Sequence, residues 1–432
     1  MIVRFDHDVT TAERIAMLQA AGGRVVRDLH LIDGLGAELD GRAARRLARA
    51  PGVIAVSRDR VVRPSGKPAP CGGRAADWCA SALDTAYVQS TRADKAWSDR
   101  QSPATGSGVG VAVIDTGIAG ELPDFAAGDG QSRVIATAVT NPDATTATDR
   151  YGHGTHVAGL VAGNGRRLAT SDPLYNRYIG TAPDANLISI KASDDAGRAT
   201  IIDVIDGLQF AVDHKDDYGI KVVNLSLNST DAQSYATDPL DAAAEAAWFA
   251  GLVVVTAAGN RGTAADAVSY APANDPFVIT VGGVDDQGTK ATDDDALAAW
   301  SSRGMTQDQY AKPDVVAPAA HIVGPLAPQS AFATLCPACI VDARYFRVGG
   351  TSMASPIVAG IAADLLQAHP TWTPDQVKQA LVTRTRPTLD GAAEVAADLA
   401  LQARPSGPPI SAGIAPSIWL DPATGTLDYA RA

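Results

Sequence analysis

Val109-Gly110-Val111-Ala112-Val113-Ile114-Asp115-Thr116-Gly117 reads as a strand buried on both faces, a short β-branched apolar run stopped by an acid and a glycine. Similar apolar runs occupy residues 185–190, 221–227, 252–257 and 277–281. Between and after them, residues 201–214, 241–249 and 374–383 carry helical periodicity. This alternation predicts an α/β fold, a mainly parallel sheet with helices on both faces. In such sheets, sites form outside the carboxyl ends of strands, and Asp115 occupies that position. The plainer reading of Asp-Thr-Gly is a turn aspartate bonded to its own backbone. Gly106, Gly108 and Gly110 precede the strand instead of following it, so they do not make a dinucleotide fingerprint.

Two further stretches carry chemistry. Tyr151-Gly152-His153-Gly154-Thr155-His156-Val157-Ala158-Gly159 sets two histidines three apart, on one helix face. No Glu stands between them as in H-E-x-x-H and no third ligand is evident, so a metal pair is the weaker reading. Glycine on either side of His153 lets a substrate backbone approach a general base closely, while His156 reads as a packed, supporting imidazole. Gly349-Gly350-Thr351-Ser352-Met353-Ala354-Ser355-Pro356 presents one hydroxyl at the start of an apolar helical run. There it meets the positive end of a helix dipole and unpaired N–H groups, which favour an oxyanion. Asp115, His153 and Ser352 are the three parts of a nucleophile relay. Residues 251–260 form another buried strand ending in Asn260, whose side-chain amide can donate to the oxyanion.

Four motifs in this order, D-T-G at 115, H-G-T-H-V-A-G at 153, A-A-G-N at 257 and G-T-S-M-A-S-P at 350, resemble the subtilisin-like (subtilase) serine peptidases. The resemblance covers residues 85–404. It implies Asp115, His153 and Ser352 as the triad and Asn260 in the oxyanion hole. It also implies a substrate groove. Ser226, Leu227 and Asn228 form one wall of the pocket for the residue before the scissile bond, and Ala257 and Gly259 the opposite wall. Gly197, Arg198 and Ala199 form an edge that pairs with extended substrate by strand addition. Asn228 stands where the family usually has glycine, and its bulk is expected to narrow what the groove accepts. Arg261, next to Asn260, is expected to disfavour basic side chains at the pocket mouth, with a solvated surface arginine as the alternative.

Residues 1–63 read as a separate small α+β unit. Residues 2–5 are a strand, and Thr10-x-x-Glu13 is a capping box opening a helix that Gly22-Gly23 stops. Residues 24–26, 30–32 and 35–39 read as short strands, 42–49 as a basic helix, and 53–56 and 59–62 as extended. This resembles the inhibitor-like prodomain of subtilases, which implies an intramolecular inhibitor that is removed by self-cleavage. A Pro/Gly-rich linker, residues 64–84, is the expected processing region. The tail, residues 405–432, is expected to pack as an irregular strap.

Composition narrows the classes. The 432 residues, 46% of them hydrophobic, suffice for a large core. A net charge of −12 without a basic stripe argues against nucleic acid. No run of 18 apolar residues exists, so no membrane span is expected. Four cysteines fall as two near pairs, Cys71 with Cys79 and Cys336 with Cys339. Two local disulfides, free thiols and a zinc site held by all four cysteines stay open, the first implying an oxidising compartment. No signal peptide is visible, yet the family resemblance and the cysteines favour a secreted protein. No cofactor is required for the expected chemistry. Structural calcium is kept open through Asp124, which sits where the family often has a ligand, and Asp293-Asp294-Asp295 reads as a solvated turn. The expected activity is endopeptidase cleavage of proteins and peptides by a self-processed zymogen. The alternatives are a maturation peptidase of narrow specificity and a non-catalytic binder on the same scaffold.

Overall fold

The computed structural model describes residues 1–64, 86–97, 103–165, 168–169, 171–175 and 177–417. The expected alternation is realised as one large sheet. Its order runs Thr385–Pro387, Ala393–Val395, Val315–Pro318, Ile279–Asp285, Val253–Ala257, Ile220–Leu225, Gly110–Asp115, Asn186–Lys191, Val134–Val139. All pairings from Ala393–Val395 to Val134–Val139 are parallel. The strand Gly110–Asp115 is buried throughout, as an all-apolar run between two helical layers must be. Helices Thr351–Ala368 and His153–Ala162 pack together on one face, and Ile201–Asp213 and Pro239–Phe249 on the other. Gly110–Asp115 sits between strands that follow it in the chain on either side. Its carboxyl end therefore opens at a topological switch point.

The N-terminal unit is a four-stranded antiparallel sheet, in the order Arg24–Leu29, Gly34–Glu38, Ile2–Phe5, Val53–Ser57. Helices Thr11–Ala20 and Gly41–Leu47 cover one face. The expected capping box forms, with the Glu13 N–H donating to Thr10 Oγ1 and the Thr10 N–H to Glu13. Residues 30–32 are not a strand. His30–Ile32 is a short 3-10 turn closed by Asp33 in the left-handed region, where the chain doubles back between two paired strands. Strand alternation divides Ile2–Phe5 between two cores. Val3 and Phe5 join the unit's own cluster with Leu18, Leu35, Ala37 and Leu47, whereas Ile2 joins the main core with Leu29 and Ile32.

Polar contacts fix the seat of this unit on the helix Ile201–Asp213. The Leu31 N–H donates to Gln209 Oε1 (2.9 Å), and Arg27 pairs with Asp206 and donates to the Thr140 carbonyl. Asp59 accepts from the Ile202 N–H (3.1 Å), so a carboxylate of one unit caps a helix of the other. The next strand, Val61–Pro64, leaves the unit altogether. It inserts antiparallel between Ala199–Thr200 and Leu227–Ser229.

Other expectations meet the structure here. Asp293 is exposed, but Asp295 is buried beside Glu394, whose carboxyl is pushed up to about 10 by burial and then by this neighbour, so the triplet is not a solvated turn. Cys336 and Cys339 form a disulfide, while Cys71 and Cys79 lie outside the described residues. The tail is tied down as far as it is described. The Ser417 N–H donates to the Glu245 carboxylate, and the Tyr235 hydroxyl donates to the Ala415 carbonyl. Among the described residues no helix is long and apolar enough to cross a membrane.

Candidate active site

Asp115 ends its strand with both carboxylate oxygens on His153 Nδ1, at 2.8 and 2.9 Å. His153 is the first residue of its helix, and its ring is buried. The chain enters this helix through Gly152 at φ 109. A Cβ there would meet Ser330 Oγ at 2.8 Å and Phe332 Cβ at 2.9 Å, so glycine is needed twice over. Phe332 packs edge-on to the His153 ring, with centroids 6.2 Å apart. His153 Nε2 is buried and has no hydrogen-bond partner among the described residues.

Asp149 is the residue that sequence reasoning missed. It is buried and accepts from the Thr116 hydroxyl and from the N–H groups of Tyr151, Gly152 and Thr155. Burial raises its carboxyl above the usual range, against the pull of these donors. Thr116 Oγ1 in turn accepts from the Gly154 N–H at 2.8 Å. Asp149 therefore locks the start of the His153 helix to the end of the Asp115 strand. An acid four residues before the helix was the available signal. His156 does not face this chemistry. Its Nε2–H donates to the Phe346 carbonyl (2.9 Å), and burial, then the neighbouring His153, lowers it to about 3.

Ser352 lies in the first turn of Thr351–Ala368, fully buried. Its hydroxyl donates to the Ser226 carbonyl at 2.9 Å. Ser226 Oγ returns a bond to the Ser352 carbonyl, also at 2.9 Å. Pro356 explains the second bond: it has no N–H to offer the carbonyl four residues back, and Ser226 supplies the missing donor. Asn224 and Ser355 complete this buried knot, through Ser355 Oγ–Asn224 Oδ1 (2.7 Å) and Asn224 Nδ2–Ser226 Oγ (2.9 Å). Asn260 Oδ1 accepts from the Thr351 N–H (3.0 Å) and hydroxyl (3.2 Å), which fixes the amide and leaves its NH2 as a free donor among the described residues.

Of the expected groove residues, Ala199, Leu227 and Asn228 flank one trough, filled by the strand Val61–Pro64. Ala199 pairs with Val62, and Leu227 and Asn228 pair with Pro64 and Arg63. Gly197, at φ 76, lies against the Tyr151 ring, while the Arg198 side chain turns outward to Asp194. Asn228 Nδ2 donates to the Ala257 carbonyl at 2.9 Å, and Gly259 follows at the same strand end. Arg261 lies over the Tyr270 ring at 3.6 Å, a placement that gives its expected effect at the pocket mouth no support. The Asp124 carboxylate accepts from the Tyr345 hydroxyl at 2.7 Å, with Arg133 and Arg344 as charged neighbours. That donor set does not fit a calcium ion. Among the described residues no three His, Cys, Asp or Glu side chains converge as a metal site.

Comparison with known proteins agrees with this geometry. A family model described as the subtilase family, Peptidase S8, matches residues 106–403. The serine protease AprX of Bacillus subtilis (strain 168) is 40% identical over 309 residues, which is 70% of this chain and 66% of AprX. Subtilisin E of the same organism is 30% identical over 375 residues, 86% of this chain and 81% of its own. Among solved structures, fervidolysin from Fervidobacterium pennivorans, a keratinolytic enzyme related to subtilisin, superposes with a TM-score of 0.68 at 25% identity. That match covers 93% of this chain and 60% of fervidolysin. With residues 106–403 matched by the family model and subtilisin E 30% identical with 81% of its length covered, the chain belongs to the subtilase family.

Proposed function

We propose that this protein is a serine endopeptidase made as a self-processed precursor, with Asp115, His153 and Ser352 as its triad and Asn260 in its oxyanion hole. The observation that carries the reading is the strand Val61–Pro64, which adds to both edges of the trough and runs toward Ser352. It lies as a substrate would, held by backbone pairing on two sides.

In the proposed reaction the Ser352 hydroxyl leaves the Ser226 carbonyl and donates to His153 Nε2. Oγ attacks the scissile carbonyl as His153 takes its proton. Asp115 holds the other imidazole nitrogen, fixing the tautomer and stabilising the imidazolium. The Asn260 NH2 and the Ser352 N–H receive the oxyanion. His153 then returns the proton to the leaving amine, and water repeats the cycle on the acyl-enzyme. The resting bond from Ser352 to Ser226 is compatible with this sequence, because such contacts commonly tighten only when substrate is bound.

Residues 1–63 act in this reading as folding aid and inhibitor, residues 64–84 as the processing region and residues 85–404 as the peptidase domain. Cleavage falls shortly after Pro64. Mass analysis of the purified protein should find a new N-terminus there, and Ser352→Ala protein should stay full length. Labelling by a fluorophosphonate at Ser352 tests the chemistry directly, and an unlabelled, uncleaved wild-type chain would refute the reading. The Cys336–Cys339 disulfide supports an oxidising, extracytoplasmic location. Narrow specificity is the second reading, and the Asn228 side chain favours it.

A further inference from the structure

Strands Ile220–Leu225 and Val253–Ala257 are parallel neighbours, with Leu225 opposite Thr256. Beyond that pair the two chains separate, one continuing through Ser226 to Ser229 and the other through Ala257 to Asn260. Ser352 stands at the mouth of the gap between them. Its hydroxyl and carbonyl both bond to Ser226, and Thr351 beside it bonds to Gly259 and Asn260. An extended chain in the register of residues 61–64, with Pro64 opposite Leu227, would bring its next residue opposite Ser226. That residue carries the carbonyl nearest the Ser352 hydroxyl, and its side chain has the gap beneath it.

The gap is not open. The Asn228 side chain leaves one wall and reaches the other, where Nδ2 donates to the Ala257 carbonyl at 2.9 Å. Its Oδ1 lies 3.1 Å from the point a Cβ on Gly259 would occupy. The carboxamide thus rests in the space that a large side chain would need, held by a hydrogen bond whose loss would leave a carbonyl acceptor unsatisfied.

We propose that Asn228 is the specificity-determining residue of this groove, its carboxamide limiting the residue before the cleaved bond to small side chains such as Gly, Ala and Ser. This rests on the peptidase reading given above. The residue that follows Pro64 in the sequence is Ser65, which meets the limit. The preference comes from exclusion: a Phe or Leu side chain enters only by displacing the amide from Ala257 and takes up no compensating hydrogen bond.

The test compares blocked fluorogenic peptides that differ only in their last residue, Ala, Ser, Leu or Phe, on the processed enzyme. The wild type should cleave the Ala and Ser peptides with kcat/KM at least about tenfold above the Phe peptide. Asn228→Gly should raise the Phe-to-Ala ratio by about 10- to 100-fold, and Asn228→Ala should move it the same way should the glycine variant fail to fold. Asn228→Leu fills the space without the hydrogen bond and should keep the preference for small residues. Equal cleavage of Phe and Ala peptides by a wild-type enzyme that labels with fluorophosphonate overturns the role of Asn228 alone. So does an unchanged ratio in a labelled Asn228→Gly enzyme. A wild type that neither labels nor cleaves overturns the peptidase reading itself.

Discussion

The N-terminal unit covers one face of its sheet with its own two helices and lays the other on the main body, whereas the large sheet is covered on both faces by helices that belong to it. The first arrangement leaves a unit of about 60 residues with a small private core, a size at which independent stability is marginal. The second holds two buried polar clusters at its candidate site in closed hydrogen-bond sets, Asp149 with four donors and Ser226 with Ser352. Changes in the small unit should therefore alter its docking and the stability of the full-length chain, and changes in the large one the chemistry.

The sharpest division is expected from Ser352→Ala. Peptide hydrolysis should fall by about 10⁴- to 10⁶-fold while the N-terminal unit stays covalently attached and seated, read by a peptide assay and by mass analysis. A trimmed N-terminus in the isolated variant would break the comparison. Asn260→Ala should lower kcat by about 10²- to 10³-fold with little change in KM, because its donor acts on charge that develops only in the transition state. Phe5→Ala, in the small core, should cost about 3–5 kcal/mol. Hydrogen exchange on the full-length Ser352→Ala protein should show that loss confined to residues 1–57, and a matching loss in the large sheet would show the two units to be one.

A smaller effect concerns pH. Burial raises the Asp59 carboxyl above its usual range, against the N–H groups of Ile202 and Ile201, the Thr200 hydroxyl and the positive chain terminus. Asp203 beside it is raised to about 6, chiefly by burial, with the Asp59 charge adding to it. Between the free carboxyl value, near 4, and the raised value, the docked state binds more protons than the undocked state. Seating should therefore be strongest below about pH 4 and weaken as pH rises through the raised values. Protection of residues 1–64 in the full-length Ser352→Ala protein, compared between pH 5 and 7, measures this. Asp59→Asn keeps an acceptor for the Ile202 N–H and should flatten the trend, and tighter seating at higher pH would contradict the sign.

Much of this was legible in the sequence because it is local. The strand ending at Asp115, the helix opening at His153 and the nucleophile turn before an apolar helix each show within about ten residues; their convergence was an expectation from family likeness, and the structure joins Asp115 to His153. The capping box at Thr10 was equally local. What sequence could not give depends on where side chains turn and on distant pairings. Asn228 was recognisable as bulk in place of glycine, but not as a bridge to Ala257. Asp149 drew no reading from the sequence, because its role depends on four donors that the fold brings together. His30–Ile32 carried strand-like residues yet had to turn, because the strands on either side pair with each other. Calcium at Asp124 was kept open by family likeness, and nothing local told of Tyr345, more than two hundred residues away.

His156 has one further consequence. With its affinity for a proton displaced to about 3, the ring stays uncharged at any acidity an assay of this enzyme would ordinarily use. A bend in the rate-versus-pH curve near neutrality cannot therefore originate from this second imidazole, although it sits one helical turn from the first. Profiles recorded on His156 variants should keep any such bend in place even where the overall rate drops.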